Sequence, residues 1–239
     1  LLNIRIFLKV VLQNILKLQP KELGQKLLVD KLKYKKYFRK TSLKQKGVGD
    51  FFLNLVSQKN PKTFLEVGVF QGVTARNVCE LMSKNRDNDF NYIGLDLFES
   101  SDEATNEVVP KNFFSNPLKT FYFKYILKLN PYSKDAVHKL LKKFEKNVTL
   151  IKGNSNSVLR NIKQSEIDYV FLDGGHDYKT VKNDLNFCKK IIENNGTILC
   201  DDYDLSYAPG VKKAIDEFIN ENSFTLELLW NSRFAKIEK

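Results

Sequence analysis

Two short segments of this 239-residue chain concentrate groups able to do chemistry. One reads Asp173-Gly-Gly-His176-Asp177-Tyr178, the other Asp201-Asp202-Tyr203. Each ends an apolar run that reads as a strand covered on both faces, over 168–173 and 197–201. If those strands are neighbours, three carboxylates meet at one edge of a sheet. Converging carboxylates repel, and the pKa of one rises unless a cation neutralises them. Oxygen-only donors suit a hard ion such as Mg²⁺, which keeps waters that a substrate oxygen can replace. The plainer alternative for each Asp is a strand-end cap or an exposed turn residue. His176 stands three residues after a candidate metal ligand, on a Gly-Gly turn. It can take a proton near neutral pH, or it can orient a neighbouring carboxylate. Asp177 and Tyr178 read as the start of the next helix, and His138, among lysines in mid-helix, as surface.

Earlier strand ends offer a second set. After a run over 63–68 comes Glu66-Val-Gly68-Val-Phe-Gln-Gly72, leading into a helix whose first turn offers Thr74. Glycines let the chain turn sharply, and a helix start supplies free N–H groups. The spacing is G-x-x-x-G and not the G-x-G-x-x-G of dinucleotide sites. A carboxylate two residues ahead of the first glycine repels a pyrophosphate and favours an amine or a sulfonium, which argues against a dehydrogenase. Asp96, ending the next run, is placed to accept bonds from vicinal ribose hydroxyls. Gly153-Asn154-Ser155 follows the third run, and its small polar side chains suit an adenine amine. An ordinary turn or cap is the rival reading at each of these places.

The elements that must position these groups are legible as alternation. Strands are predicted over 63–68, 92–97, 148–152, 168–173 and 197–201, with helices over 73–84, 134–146, 157–161, 178–193 and 211–220. This is the pattern of parallel β-α units, a doubly wound α/β domain over residues 58–239. Two final β-like runs, 224–230 and 234–237, joined by Asn231-Ser-Arg233, predict a closing antiparallel hairpin. The stretch 99–132 is long for a loop, carries an aromatic run Phe121-Tyr-Phe-Lys-Tyr125, and reads as a lid. Residues 1–57 read as a helical extension, with Asp50 as the N-cap of its last helix.

The charge of +11 is uneven. Residues 1–50 carry 13 Lys/Arg and 3 Asp/Glu, a net of +10, so the catalytic part is close to neutral. Such basicity marks nucleic acid, an anionic membrane face or an acidic partner, or simply a solvated lysine-rich surface. Residues 1–18 are the most apolar stretch, but Arg5, Lys9 and Lys17 interrupt a run already short of a bilayer span. An amphipathic helix packed on the domain or on a second subunit is expected there, with peripheral membrane contact as the second choice. No small-residue cleavage site follows it, and the first residue is not Met, as in a fragment or a processed form. Three scattered cysteines fit neither a disulfide scaffold nor a zinc ribbon and point to a reducing, cytoplasmic setting.

Taken in order, Glu66-x-Gly68-x-x-x-Gly72, Asp96, Gly153-Asn-Ser155, Asp173-Gly-Gly-His176 and Gly196-x-x-x-x-Asp201-Asp202 resemble the class I S-adenosylmethionine-dependent methyltransferases. Within them the chain is most similar to methyltransferase family 24, which includes macrolide-sugar and aminocoumarin-sugar O-methyltransferases and shares its metal logic with catechol O-methyltransferase. The resemblance covers about residues 60–239. It implies a seven-stranded, mostly parallel sheet with the last strand antiparallel. It further implies Glu66, Gly68 and Gly72 along the methionine part of S-adenosylmethionine, Asp96 on the ribose, and Asn154 and Ser155 near the adenine. Asp173, Asp201 and Asp202 are the implied Mg²⁺ ligands, His176 the implied base, and a small hydroxyl compound the acceptor. Residues 1–57 and 99–132 match nothing in the family and fall where a substrate cap normally forms.

Rival functions have weaker sequence support. Adenine-amine methylation needs an Asn/Asp-Pro-Pro-aromatic motif where this chain has Asp173-Gly-Gly-His. Cytosine-C5 methylation needs a Pro-Cys nucleophile, and no cysteine here follows a proline. RNA ribose methylation, a non-catalytic binding module docking through residues 1–57, and a dehydrogenase on the same doubly wound architecture stay open as alternatives.

Overall fold

The computed structural model describes residues 32–99, 114–162 and 167–239. Seven strands form one sheet: Thr63–Val67 (β1), Asn91–Asp96 (β2), Val148–Lys152 (β3), Ile167–Leu172 (β4), Ile192–Cys200 (β5), Thr225–Leu229 (β6) and Phe234–Glu238 (β7). Their spatial order is β3-β2-β1-β4-β5-β7-β6. The first five strands run parallel, and β7 inserts antiparallel between β5 and β6. The predicted doubly wound α/β sheet with its closing hairpin is therefore present.

Residue alternation sorts the side chains into two cores. On one face Leu65, Ile93, Val170 and Ile198 pack with Leu185 of the helix Tyr178–Ile191 (α6) and Ile215 of the helix Pro209–Glu221 (α7). On the other, Phe64, Tyr92, Tyr169 and Phe171 meet two helices, Val48–Lys59 (α1) and Val73–Asn85 (α2). That second core is aromatic: Phe64 stacks on Tyr169 at 5.2 Å and Phe52 of α1 lies 4.6 Å from Phe171. The central strands β1 and β4 are covered on both faces, so their polar functional groups emerge into the open at the carboxyl ends. The sheet thereby becomes a rigid frame for its tips.

The remaining helices are short. They are Pro117–Phe121 (α3), Lys134–Leu141 (α4) and Ser155–Val158 (α5). A π-helical turn, Tyr122–Ile126, follows α3 and leaves Leu118, Phe121, Tyr125 and Ile126 exposed. The rest of the expected lid lies outside the described residues, as do residues 1–18. No helix among the described residues is long and apolar enough to cross a membrane.

Three sequence expectations are corrected. Residues 32–47 are not helical; they form a strap of turns. Tyr37 and Phe38 adopt positive φ, and Tyr34 is anchored by its hydroxyl to both Thr41 and Thr74, so long-range contacts override the local pattern. Asp50 is not an N-cap, because α1 begins at Val48 after a left-handed Gly47; its carboxylate instead accepts the Tyr34 N–H at 2.7 Å. β5 starts at Ile192, with an irregular register against β4 before Thr197 pairs with Tyr169.

Candidate functional site

The carboxyl ends of β1, β2, β3, β4 and β5 open into a cavity of roughly 1010 Å³. That exceeds what one drug-sized ligand occupies and leaves room for a donor and an acceptor together. Its wall includes Gly68, Asp96, Gly153, Asn154, Ser155, Asp173, His176, Asp202 and Arg233, and the strap supplies Lys36, Arg39, Lys40, Ser42 and Lys44.

β4 and β5 are neighbours, so their tips do meet. One oxygen from each of Asp173, Asp201 and Asp202 lies within 4.8 Å of the others. The three are differently bound. Asp173 accepts the Ser42 hydroxyl at 2.5 Å. Asp201 receives a two-pronged bond from Arg233, Nε and one terminal nitrogen each at 2.6 Å. Asp202, in a left-handed conformation at φ 61, accepts His176 Nε2 at 3.0 Å and the Tyr207 hydroxyl at 2.9 Å on one oxygen. Its other oxygen is buried without a hydrogen-bond partner.

The electrostatics follow from that arrangement. Burial, and then the charge of Asp201, push the Asp173 carboxyl well above the ordinary range. Burial also raises Asp201, even against the Arg233 fork, and the adjacent Asp202 adds to it. At Asp202 burial acts upward too, but the bonds from His176 and Tyr207 outweigh it and hold the carboxyl below its usual value. Uncompensated carboxylate is what a divalent cation neutralises. A hard ion fits this donor set: Asp173 and the bare oxygen of Asp202 offer oxygens, while Asp201 shares its charge with Arg233.

The predicted donor-side residues separate into two groups. Gly68, Asp96, Asn154 and Ser155 line the cavity. Gly68 is a positional necessity: at φ +96 a Cβ would lie 2.0 Å from the Asp173 carbonyl, so only glycine lets the β1 and β4 tips close up. Asp96 accepts backbone N–H groups of Phe70, at 2.7 Å, and Phe98, which fixes its carboxylate toward the cavity rim. Asn154 caps α5 through the Asn156 N–H. Glu66, Gly72 and Thr74 stand off the wall. Glu66 is fully buried in the aromatic core and accepts the Tyr92 hydroxyl; burial lifts its pKa to about 8. Gly72 turns the chain into α2 at φ 76, and the Thr74 hydroxyl is taken by Tyr34.

Sequence reasoning missed Ser42, Tyr207 and Arg233. Arg233 had a signal: the hairpin register pairs Ala235 with Cys200, so the residue two before Ala235 must lie beside the Asp201-Asp202 tip. Ser42 had none, since the bond that places it spans 131 positions of sequence.

Comparison with known proteins agrees with this geometry. The sequence model of the methyltransferase domain of family 24 matches residues 65–203, more than half the chain. The structure is similar to the O-methyltransferase NovP, with 15% identity, 91% of this chain and 98% of that one covered, and a TM-score of 0.61. It is similar to CalS11, a TDP-rhamnose 3'-O-methyltransferase of calicheamicin biosynthesis (14% identity, 92% and 95% covered, TM-score 0.56). It is also similar to the methyltransferase PaMTH1 of Podospora anserina, solved with S-adenosylhomocysteine bound (17% identity, 92% and 88% covered, TM-score 0.55). At these identities the likeness concerns the fold. An uncharacterized protein of Acanthamoeba polyphaga mimivirus is 26% identical over 163 residues, and the chain spans 61% of that relative's length. With the family's motifs on the strand tips and its sequence model spanning them, the chain belongs to the methyltransferase domain family.

Proposed function

We propose that this chain is an O-methyltransferase acting on a hydroxyl of a small molecule such as a sugar or polyol, assisted by Mg²⁺. The observation that carries this reading is the convergence of three carboxylates beside His176, in a cavity that also contains the donor-side loops. That NovP and CalS11 are O-methyltransferases supports it by analogy.

When bound, S-adenosylmethionine supplies an electrophilic methyl group, and Mg²⁺ on Asp173, Asp201 and Asp202 would lower the pKa of a hydroxyl it touches. The chain's own residues do the rest. With Nε2–H donated to Asp202, the basic nitrogen of His176 is Nδ1, which takes the hydroxyl proton; Asp202 stabilises the resulting imidazolium. Asp96, Asn154 and Ser155 hold the nucleoside end of the donor, and Gly68 permits its close approach. Fixing oxygen, methyl carbon and sulfur in line lowers the barrier by about 7–11 kcal/mol in favourable cases.

Turnover is measured with S-adenosylmethionine and a panel of sugars and polyols. Asp173→Asn is expected to lower the rate by roughly 10³ or more, as several kcal/mol of charge stabilisation imply, and to leave S-adenosylhomocysteine binding intact. A full rate in excess EDTA removes the metal from the mechanism. A wild-type chain that binds no S-adenosylhomocysteine refutes the reading.

A further inference from the structure

The strap over residues 32–47 carries seven cationic side chains and no acid. Six of them fall into two groups, and the seventh, Lys46, is exposed and off the cavity wall. Lys33 and Lys35, which stand off the cavity, find carboxylates in Asp50 and Glu80, at 3.4 and 3.2 Å. Lys36, Arg39, Lys40 and Lys44 line the cavity, and none of them pairs with an acid among the described residues. The acids on the same wall stand in no ion pair with them and turn at least one oxygen to other donors. Asp96 takes backbone N–H groups, Asp173 takes Ser42, and Asp202 takes His176 and Tyr207.

Arg39 is the most telling of the four. Only 9% exposed, it is held by the carbonyls of Gln71 and Ala136, at 3.1 and 3.0 Å, and more distantly by that of Pro131. Buried charges are ordinarily paired, because desolvation of an isolated one is costly. Burial without a counter-charge pulls the Arg39 guanidinium down to about 10. Carbonyl dipoles and the Phe123 ring fix its position, and its charge adds to that of the three lysines on the cavity wall.

The donor leaves most of this charge unmet. S-adenosylmethionine carries one carboxylate against a sulfonium and an ammonium, so it brings a net positive charge into the cavity. Its carboxylate satisfies one cation of the strap, and three remain. A divalent cation at the tips would add to the excess. The strap also sets the distance: Lys40 and Lys44 flank Ser42 by two residues on either side, and Ser42 touches Asp173. Two extended residues span about 7 Å, so an anion on either lysine lies within a small molecule's length of the tips.

Resting on the O-methyltransferase reading, we propose that the acceptor is a phosphate-bearing hydroxyl compound, its phosphate seated on Lys36, Lys40 and Lys44 while its hydroxyl meets the Asp173–His176 tip. Lysine is a point-charge binder of phosphate, and three on one strap suit a group with several anionic oxygens. The sheet tips then choose the hydroxyl, and the strap chooses the charged handle.

The test is calorimetry on the full chain saturated with S-adenosylhomocysteine, using pyrophosphate, glucose 1-phosphate and glucose as probes. Pyrophosphate and glucose 1-phosphate should bind and glucose should not, with affinity falling as salt rises. The triple variant K36Q/K40Q/K44Q should weaken pyrophosphate by roughly tenfold or more, as loss of charge-assisted bonds implies, with an unchanged thermal midpoint. K36Q/K44Q, which touches only exposed lysines, should show a smaller loss in the same direction if the triple variant folds poorly. Competition between pyrophosphate and S-adenosylhomocysteine would assign the cations to the donor's carboxylate and overturn the proposal. So would undiminished binding in both variants, equal binding of glucose, or tight RNA binding that pyrophosphate does not displace. The same titration without S-adenosylhomocysteine judges the lysines even if donor binding itself fails.

Discussion

The tips of β4 and β5 and the strap above them meet at one bond, Ser42 to Asp173, and are built on contrasting plans. At the tips each of the three carboxylates is held by at least one side chain. Asp201 is gripped by Arg233 from the hairpin, and Asp202 by His176 and Tyr207 from separate loops. Each carboxylate stands at the end of a strand buried on both faces. The strap has no regular structure, is anchored mainly through Tyr34 and Arg39, and keeps several cations uncommitted. The difference is the usual division of labour: a rigid frame holds groups whose geometry matters to a fraction of an ångström, and a loop carries those that choose a partner.

The sharpest way to probe the committed side is His176→Ala. Loss of a positioned general base lowers kcat by about 10²–10⁴, and the ionisation that limits kcat at low pH should vanish from the pH profile with it. If the rate falls little and the profile is unchanged, His176 serves only to orient Asp202, and the proton leaves by another route.

A smaller effect tests whether the frame beneath the tips is as rigid as this contrast requires. Glu66 is buried on β1, with a pKa raised from 4.5 to about 8 by desolvation. Between those values the folded chain keeps a proton that the unfolded chain has lost. The folded state binds more protons there, so stability falls as pH rises from about 4.5 to about 8 and then levels off. Across the window the loss is on the order of a few kcal/mol. Glu66→Gln, neutral at every pH, should flatten that slope in thermal unfolding and leave S-adenosylhomocysteine affinity unchanged, since Glu66 stands off the cavity wall. A Glu66→Gln chain that unfolds with the wild-type slope would place the titrating group elsewhere.

This contrast also explains what the sequence could and could not reveal. The order of the tips follows from local signals: apolar runs of strand length, glycines where the chain turns, and acids at the run ends. Parallel topology then brings Asp173 and Asp201 side by side without further information. The same logic reaches Arg233, because the hairpin register delivers it to Asp201. Glu66 shows the limit of local reading, since an acid beside a glycine turn is equally compatible with a ligand and with the Tyr92 hydroxyl across the core. The strap lies beyond that limit. Its lysine-rich stretch carries no proline and reads as helix, while the contacts that unwind it reach Thr74, Gln71 and Ala136, in elements far along the chain.

Ser42→Ala tests the single bond on which the two regions meet, and the smallest effect is expected there. The hydroxyl donates to a carboxylate whose pKa is already raised by burial, and removing it loses a charge-assisted bond of about 1.5–3 kcal/mol before water repairs part of it. Asp173 is partly exposed to the cavity, so water can enter, and a net loss near 1 kcal/mol in unfolding is expected. Because Arg39 and Tyr34 still hold the strap, kcat should fall less than tenfold, with the change appearing mainly as a raised KM for the acceptor. An equal fall in kcat and kcat/KM would mean that Ser42 acts in the transition state, and the strap would then belong to the catalytic frame and not only to the choice of substrate.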